Sequence, residues 1–138
     1  MKILFICKSN VGRSQMAEAL FNKLSKKHMA ASAGVAVEER YLSKKKLSET
    51  TKYMLPVMAE EGCDVSKKVS KQLTRKMVEE TDKVIVMVDK DKCPVYLLES
   101  GKVIFWNVKD PRKGDINVHR KARDIIKKKI KELLLKIG

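Results

Sequence analysis

Aromatic residues are scarce in this 138-residue chain: Phe, Trp and Tyr together make 5% of it. So few rings exclude the stacking platforms on which single-strand nucleic-acid binders lay successive bases. Its three cysteines, Cys7, Cys63 and Cys93, stand at spacings that build neither a secreted disulfide framework nor a zinc cluster. Six Gly and three Pro leave no material for a linker, a repeat or a low-complexity segment. No apolar run approaches a membrane span, and strand-forming residues start almost at the first methionine, where a leader would lie. These absences predict one domain over residues 1–138, free of disulfides, cytoplasmic and monomeric, with no membrane partner. A chain of this length buries enough core to fold unaided.

Acidic residues are also in deficit, 17 against 31 Lys and Arg, for a formal charge of +14. The imbalance is strongest in residues 109–138, where 11 basic side chains meet only Asp110, Asp115, Asp124 and Glu132. Lys127, Lys128 and Lys129 fall on the outward side of a helical pattern, and a charge run there reads as a solvated face. Specific nucleic-acid binding is not expected.

What the sequence does contain is an alternation of strand-like and helical stretches. Residues 2–7 read as a strand and 14–27 as a helix; a short strand near Ala30 ends at Gly34. Residues 35–50, with Lys44-Lys45-Lys46 in their middle, read as a loop or loose helix. Helices are expected at 52–61, with Pro56 in the first turn or at a kink, and at 70–80. Strands follow at 83–88 and 102–106. The terminal helix places Val118, Ala122, Ile125, Ile126, Ile130, Leu133, Leu134 and Ile137 on one stripe. Four strands separated by helices predict an α/β fold: a three-layer, doubly wound, four-stranded parallel sheet with helices on both faces.

One loop stands out. Cys7-Lys8-Ser9-Asn10-Val11-Gly12-Arg13-Ser14 joins the first strand to the first helix. Backbone N–H groups and the positive helix end would converge there on an anion such as phosphate, with Lys8, Ser9, Asn10, Val11, Gly12, Arg13 and Ser14 as its cradle. The same field favours the thiolate of Cys7, the nucleophilic form, and Ser14 is placed to donate to it. Taken singly, Cys7 would be core filler and Arg13 a solvated cation. Asp110-Pro111 lies just after the last strand, on the sheet edge where Cys7 sits. It is a turn signal, and it also offers an acid that could protonate a leaving oxygen.

The loop resembles that of the low-molecular-weight protein tyrosine phosphatases and of the arsenate reductases that share their fold. Ser32-Ala33-Gly34, Gly62-Cys63-Asp64-Val65-Ser66, Ser70-Lys71-Gln72-Leu73, the strand Lys83–Val88 and Asp110-Pro111 extend the resemblance over nearly the whole chain. It implies Cys7 as nucleophile, Arg13 as phosphate ligand and Asp110 as general acid, with phosphorylated proteins or small phosphoesters as substrates and no cofactor. It also implies an alternative, arsenate reduction, since Lys92-Cys93-Pro94 matches a resolving cysteine of that branch. Thioredoxin or another thiol donor would then be a partner. The first of that branch's two further cysteines falls near Met87-Val88, where this chain has none.

Other matches carry expectations of their own. Asn10, Glu18, Ser32 and Asp64 match positions that bind potassium in some of the reductases; the reading from the residues themselves is a buried polar network. Arg112 and Lys113 follow Asp110-Pro111 where phosphatases commonly offer an aromatic wall. Tyr41 or Tyr53 could supply one, although ordinary surface positions are the default expectation for both. His28 and His119 show no pattern tying them to Cys7. A third reading, a phosphate-binding module without catalysis, leaves Asp110 without a task.

Overall fold

In β1 (Lys2–Cys7) every residue after Lys2 is buried, so both faces of this strand must be covered. Ile3 and Phe5 point into one apolar cluster and Leu4 and Ile6 into a second, the period-two alternation of a strand between two layers. The computed structural model describes residues 1–43 and 45–138. Of the Lys44-Lys45-Lys46 run, Lys44 lies outside the described residues.

β1 pairs in parallel with β2 (Met29–Gly34) on one side and β3 (Lys83–Val86) on the other; β4 (Val103–Phe105) pairs in parallel with β3. The order β2-β1-β3-β4 places the change of direction at β1, so a crevice opens beyond the carboxyl end of that strand, at Cys7. The layer holding Ile3 and Phe5 is closed by α1 (Arg13–Leu24), α2 (Leu47–Thr50), α3 (Met54–Ala59) and α6 (Ile116–Ile137). The layer holding Leu4 and Ile6 is closed by α4 (Arg75–Glu79) and α5 (Val95–Leu98). Helices thus cover both faces of a four-stranded parallel sheet, as the alternation predicts. Among the described residues no helix is long and apolar enough to cross a membrane.

Several boundaries differ from the sequence reading, each for a local reason. Helix α1 stops at Leu24 because Ser25 turns extended and its hydroxyl accepts from the His28 N–H. Residues 70–74 are not helical. Their backbone is taken by Gly34, whose N–H donates to Lys71 O and whose carbonyl accepts from Leu73 N–H; the Thr74 side chain then caps α4. The 35–50 stretch holds a 3-10 turn at Glu39–Tyr41 and the short α2, and α5 was not anticipated. On α6, Ala122, Ile126, Ile130 and Leu133 are buried, but Val118 and Ile125 are exposed at the margin of the expected stripe.

Helix α3 is clamped to α6 by one carboxylate. Glu60, just past α3, accepts from the Nε and Nη2 of Arg120 and from the Nη1 of Arg123, which also donates to Val57 O. The Arg120 and Arg123 hydrogen bonds hold the Glu60 carboxyl far below its ordinary 4.5, at about 2. Its contribution to stability is therefore complete above the ordinary carboxylate range and is lost as pH falls toward about 2. Glu60→Gln is expected to lower the melting temperature at neutral pH and to flatten the acid limb of the stability–pH curve. Thermal scans from neutral pH to strong acid check both; an acid limb of unchanged steepness would contradict the assignment.

Candidate functional site

Cys7 closes β1 and is buried, and the loop after it is built to leave its amides free. Cys7 O accepts from Val35 N–H, Lys8 O from Ala36 N–H, Asn10 O from the Ser70 hydroxyl and the Gln15 amide, and Gly12 O from Met16 N–H. The carbonyls are thereby turned away from the loop's concave side. Among the described residues, no acceptor engages the N–H groups of Lys8, Ser9, Asn10, Val11 or Gly12. Unpaired amides in a partly buried turn at a helix N-terminus form an anion nest. The buried Ser9 hydroxyl also lacks a partner, and it lines the same cavity.

Gly34 is what lets the loop sit so close to β2. A Cβ there would lie 2.6 Å from Lys8 O and 2.9 Å from the Ser9 carbonyl carbon, contacts that backbone cannot relieve. Asn10 sits at φ 56°, the left-handed region that Asn tolerates better than other side chains. It is pinned there from several sides. Its Oδ1 accepts from Lys71 N–H at 2.9 Å, which fixes the orientation of the amide. Its Nδ2 donates to Ser14 Oγ at 2.7 Å and to Ser32 Oγ at 2.9 Å. Ser14 Oγ lies 2.9 Å from Cys7 Sγ, and its own proton is available to that sulfur when Cys7 is a thiolate.

Arg13 is buried and aimed from two sides. Its Nη1 donates to Met87 O, at the end of β3, and to Val108 O at 3.0 Å. Anchoring one nitrogen to carbonyls leaves Nε and Nη2 of the planar fork for two oxygens of an oxyanion. Asp110 Oδ2 lies 3.7 Å from Nη2, and Asp110 Oδ1 accepts from Arg112 N–H at 3.0 Å, an Asx turn that sets the carboxylate's direction. Cys7, Arg13 and Asp110 line one cavity of about 300 Å³.

The walls of that cavity correct the sequence reading twice. Tyr41 is buried and Tyr53 packs on His119 with ring centroids 5.1 Å apart; all three line the cavity, beside Met54 and Val11. The aromatic wall missing after Asp110-Pro111 thus comes from Tyr41 and Tyr53, and His119 joins it from α6. Arg40 lies 4.6 Å over the Tyr41 ring and Lys52 5.3 Å over that of Tyr53, so each ring carries a cation on one face. Gln15, Ser70 and Lys71 were also missed as loop supports. Ser70 acts through its hydroxyl and Lys71 through its backbone N–H, both on Asn10, a long-range contact that local pattern does not show.

The candidate potassium residues do not converge. Asn10, Ser32 and Glu18 form a chain in which Ser32 Oγ donates to Glu18 Oε1 at 2.9 Å, and Lys68 Nζ stands 3.1 Å from Glu18 Oε2. An ammonium thus faces the carboxylate where a cation would be needed. Asp64 is exposed, accepts from Ser66 N–H and is outside this chain of contacts. The four residues do not fit a potassium site, and the buried network accounts for three of them. Cys93 likewise stays outside the Cys7 cavity. Its Sγ lies 3.6 Å from Asp89 O, and burial, with Asp91 and Asp89 nearby, pushes its thiol up from the usual range. Cys63 is core, its thiol also raised by burial.

Comparison with known proteins agrees with this geometry. The family described as low molecular weight phosphotyrosine protein phosphatase matches residues 2–138. A glutaredoxin arsenate reductase of Synechocystis sp. is 29% identical, with 99% of this chain and 98% of that protein aligned. Among solved structures, the YwlE arginine phosphatase of Geobacillus stearothermophilus is 29% identical with a TM-score of 0.83, covering 99% of this chain and 92% of that one. Vibrio vulnificus Wzb, solved in complex with benzylphosphonate, is 26% identical with a TM-score of 0.84, covering 98% and 97%. The chain belongs to the low molecular weight phosphotyrosine protein phosphatase family.

Proposed function

We propose that the protein hydrolyses aryl phosphomonoesters, phosphotyrosine among them, through a phosphocysteine formed on Cys7. The observation that carries this reading is the nest of free amides around a buried thiol, with Arg13 and an acid facing the same cavity. The phosphoryl oxygens take the loop N–H groups, the Ser9 hydroxyl and two nitrogens of Arg13. Cys7 sulfur attacks phosphorus in line as the ester P–O bond breaks, and the leaving oxygen receives the proton of Asp110. Water then attacks the phosphocysteine, the Asp110 carboxylate takes its proton, and the S–P bond breaks to release inorganic phosphate. The Ser14 hydroxyl stabilises the departing thiolate. Tyr41, Tyr53, Met54 and His119 receive the ring of the substrate. Lys68 supplies the positive charge opposite Glu18, so the proposed reaction includes no potassium ion. The protein acts as a cytoplasmic monomer.

A second reading, arsenate reduction, is favoured by the similarity to the glutaredoxin arsenate reductase. Arsenate would occupy the same nest, and a resolving thiol would have to reach the adduct on Cys7. Cys93 is the candidate, with a glutaredoxin- or thioredoxin-type donor as partner, but it lies outside the cavity with its thiol disfavoured for ionisation.

Two substitutions test the ranking. Arg13→Lys keeps the charge and loses the fork, and is expected to lower kcat for an aryl phosphate roughly 10²- to 10³-fold, the scale for losing a transition-state donor. Near-normal steady-state kinetics would reduce Arg13 to a structural role. Cys93→Ser is expected to leave aryl phosphate hydrolysis within about twofold of wild type, as for a substitution remote from the chemistry. Thiol-dependent arsenate reduction in the wild type, abolished in Cys93→Ser, would instead place the reductase reading first.

A further inference from the structure

The catalytic cavity opens on one side into a wider groove of about 740 Å³ that follows the carboxyl ends of β3 and β4. Lys8, Arg13, Asp110 and Arg112 line both, so the seated phosphate would lie at the shared corner. Beyond that corner the groove is walled by Lys92, from the turn after β3, and by Phe105, Trp106 and Lys109. Phe105, at the end of the edge strand β4, is 46% exposed. The two acids in the groove are Asp89 and Asp110, and Asp110 is already held by Arg13 and Arg112. Among the described residues, Lys8, Lys92 and Lys109 have no carboxylate partner within 4.0 Å.

We propose that this groove receives the peptide segment adjoining the phosphorylated residue of a protein substrate, and that it selects segments rich in Asp and Glu. This rests on the phosphatase reading of the adjacent cavity. A small aryl phosphate is contained by the 300 Å³ cavity, but a phosphorylated side chain must carry its backbone out through the mouth. The concavity continuous with that mouth is lined by three unpaired ammonium groups and an exposed phenylalanine. Three ammonium groups against the one free carboxylate of Asp89 give the groove a positive potential that entering carboxylates compensate, which is the charge complementarity that sets partner choice and encounter rate. Phe105 offers an apolar contact between the charged positions.

The test uses three substrates: an aryl phosphate, a phosphotyrosine peptide flanked by Asp and Glu, and one flanked by Gly and Ala. For the wild type, kcat/KM is expected to be roughly tenfold or more higher for the acidic peptide than for the neutral one, the gap narrowing as salt is raised. In the double variant K92E/K109E the gap should close or invert while aryl phosphate turnover is unchanged. Equal rates for both peptides in the wild type, or a preference that survives the double variant, would overturn the groove proposal alone. No turnover of aryl phosphate by the wild type would overturn the phosphatase reading. The groove is then judged by fluorescence anisotropy of the acidic phosphopeptide on wild type and double variant, where equal affinity overturns it. Tighter binding of a single-stranded oligonucleotide than of the acidic peptide, lost in the same variant, would also overturn it.

Discussion

Everything at the site depends on how the Asn10 side chain distributes its hydrogen bonds. Its carbonyl oxygen is fixed by the Lys71 amide, so its NH₂ group must donate, and it donates to Ser14 and Ser32 at once. That choice leaves the Ser14 hydroxyl proton free for a Cys7 thiolate 2.9 Å away, while the Ser32 hydroxyl donates to the Glu18 carboxylate. In a buried network each bond fixes the next, and a missing member leaves partners unsatisfied at a cost of about 1–3 kcal/mol each. The same residue holds the left-handed turn that points the loop amides inward. Loop shape and nucleophile environment are thus one constraint.

Seen from that constraint, the scaffold has three separate tasks. Gly34 and residues 69–72 brace the loop from the β2 side; the carbonyls of Met87 and Val108 aim Arg13 from the β3–β4 side. Tyr41, Tyr53, Met54 and His119 form a wall against which a ring can lie. The first two explain why a phosphate-sized anion fits. The third offers an apolar surface of the size of a ring, and it stands on different elements from Cys7, Arg13 and Asp110, so it can vary without disturbing them.

The loop from Cys7 to Ser14 and the parallel sheet were legible because they are local: a strand, a short turn and a helix in immediate succession, with an apolar alternation that demands two covering layers. Asp110 was legible because it lies in the loop that leaves the last strand, and in a parallel sheet that loop starts on the same edge as Cys7. The aromatic wall was not. Tyr41 and Tyr53 lie in a stretch with no clear periodicity, and His119 faces the cavity only because α6 begins at the Asp115 cap and turns one buried side toward α3. Residues 70–74 read as the start of a helix because their side chains permit one, and the backbone of Gly34 claims them first. The potassium match failed on a lysine: Lys68 occupies the space opposite Glu18, and no pattern in residues 10, 18, 32 and 64 contains it.

In the proposed reaction, the chemistry passes through a covalent bond to the Cys7 sulfur. Rapid acid quenching during aryl phosphate turnover, followed by peptide mass spectrometry, tests it directly. A phosphoryl adduct on the peptide carrying Cys7, appearing within the first turnover and decaying as substrate is exhausted, is the predicted result. Hydrolysis that proceeds at full rate with no adduct at any quench time, or with the adduct on another residue, would contradict the account.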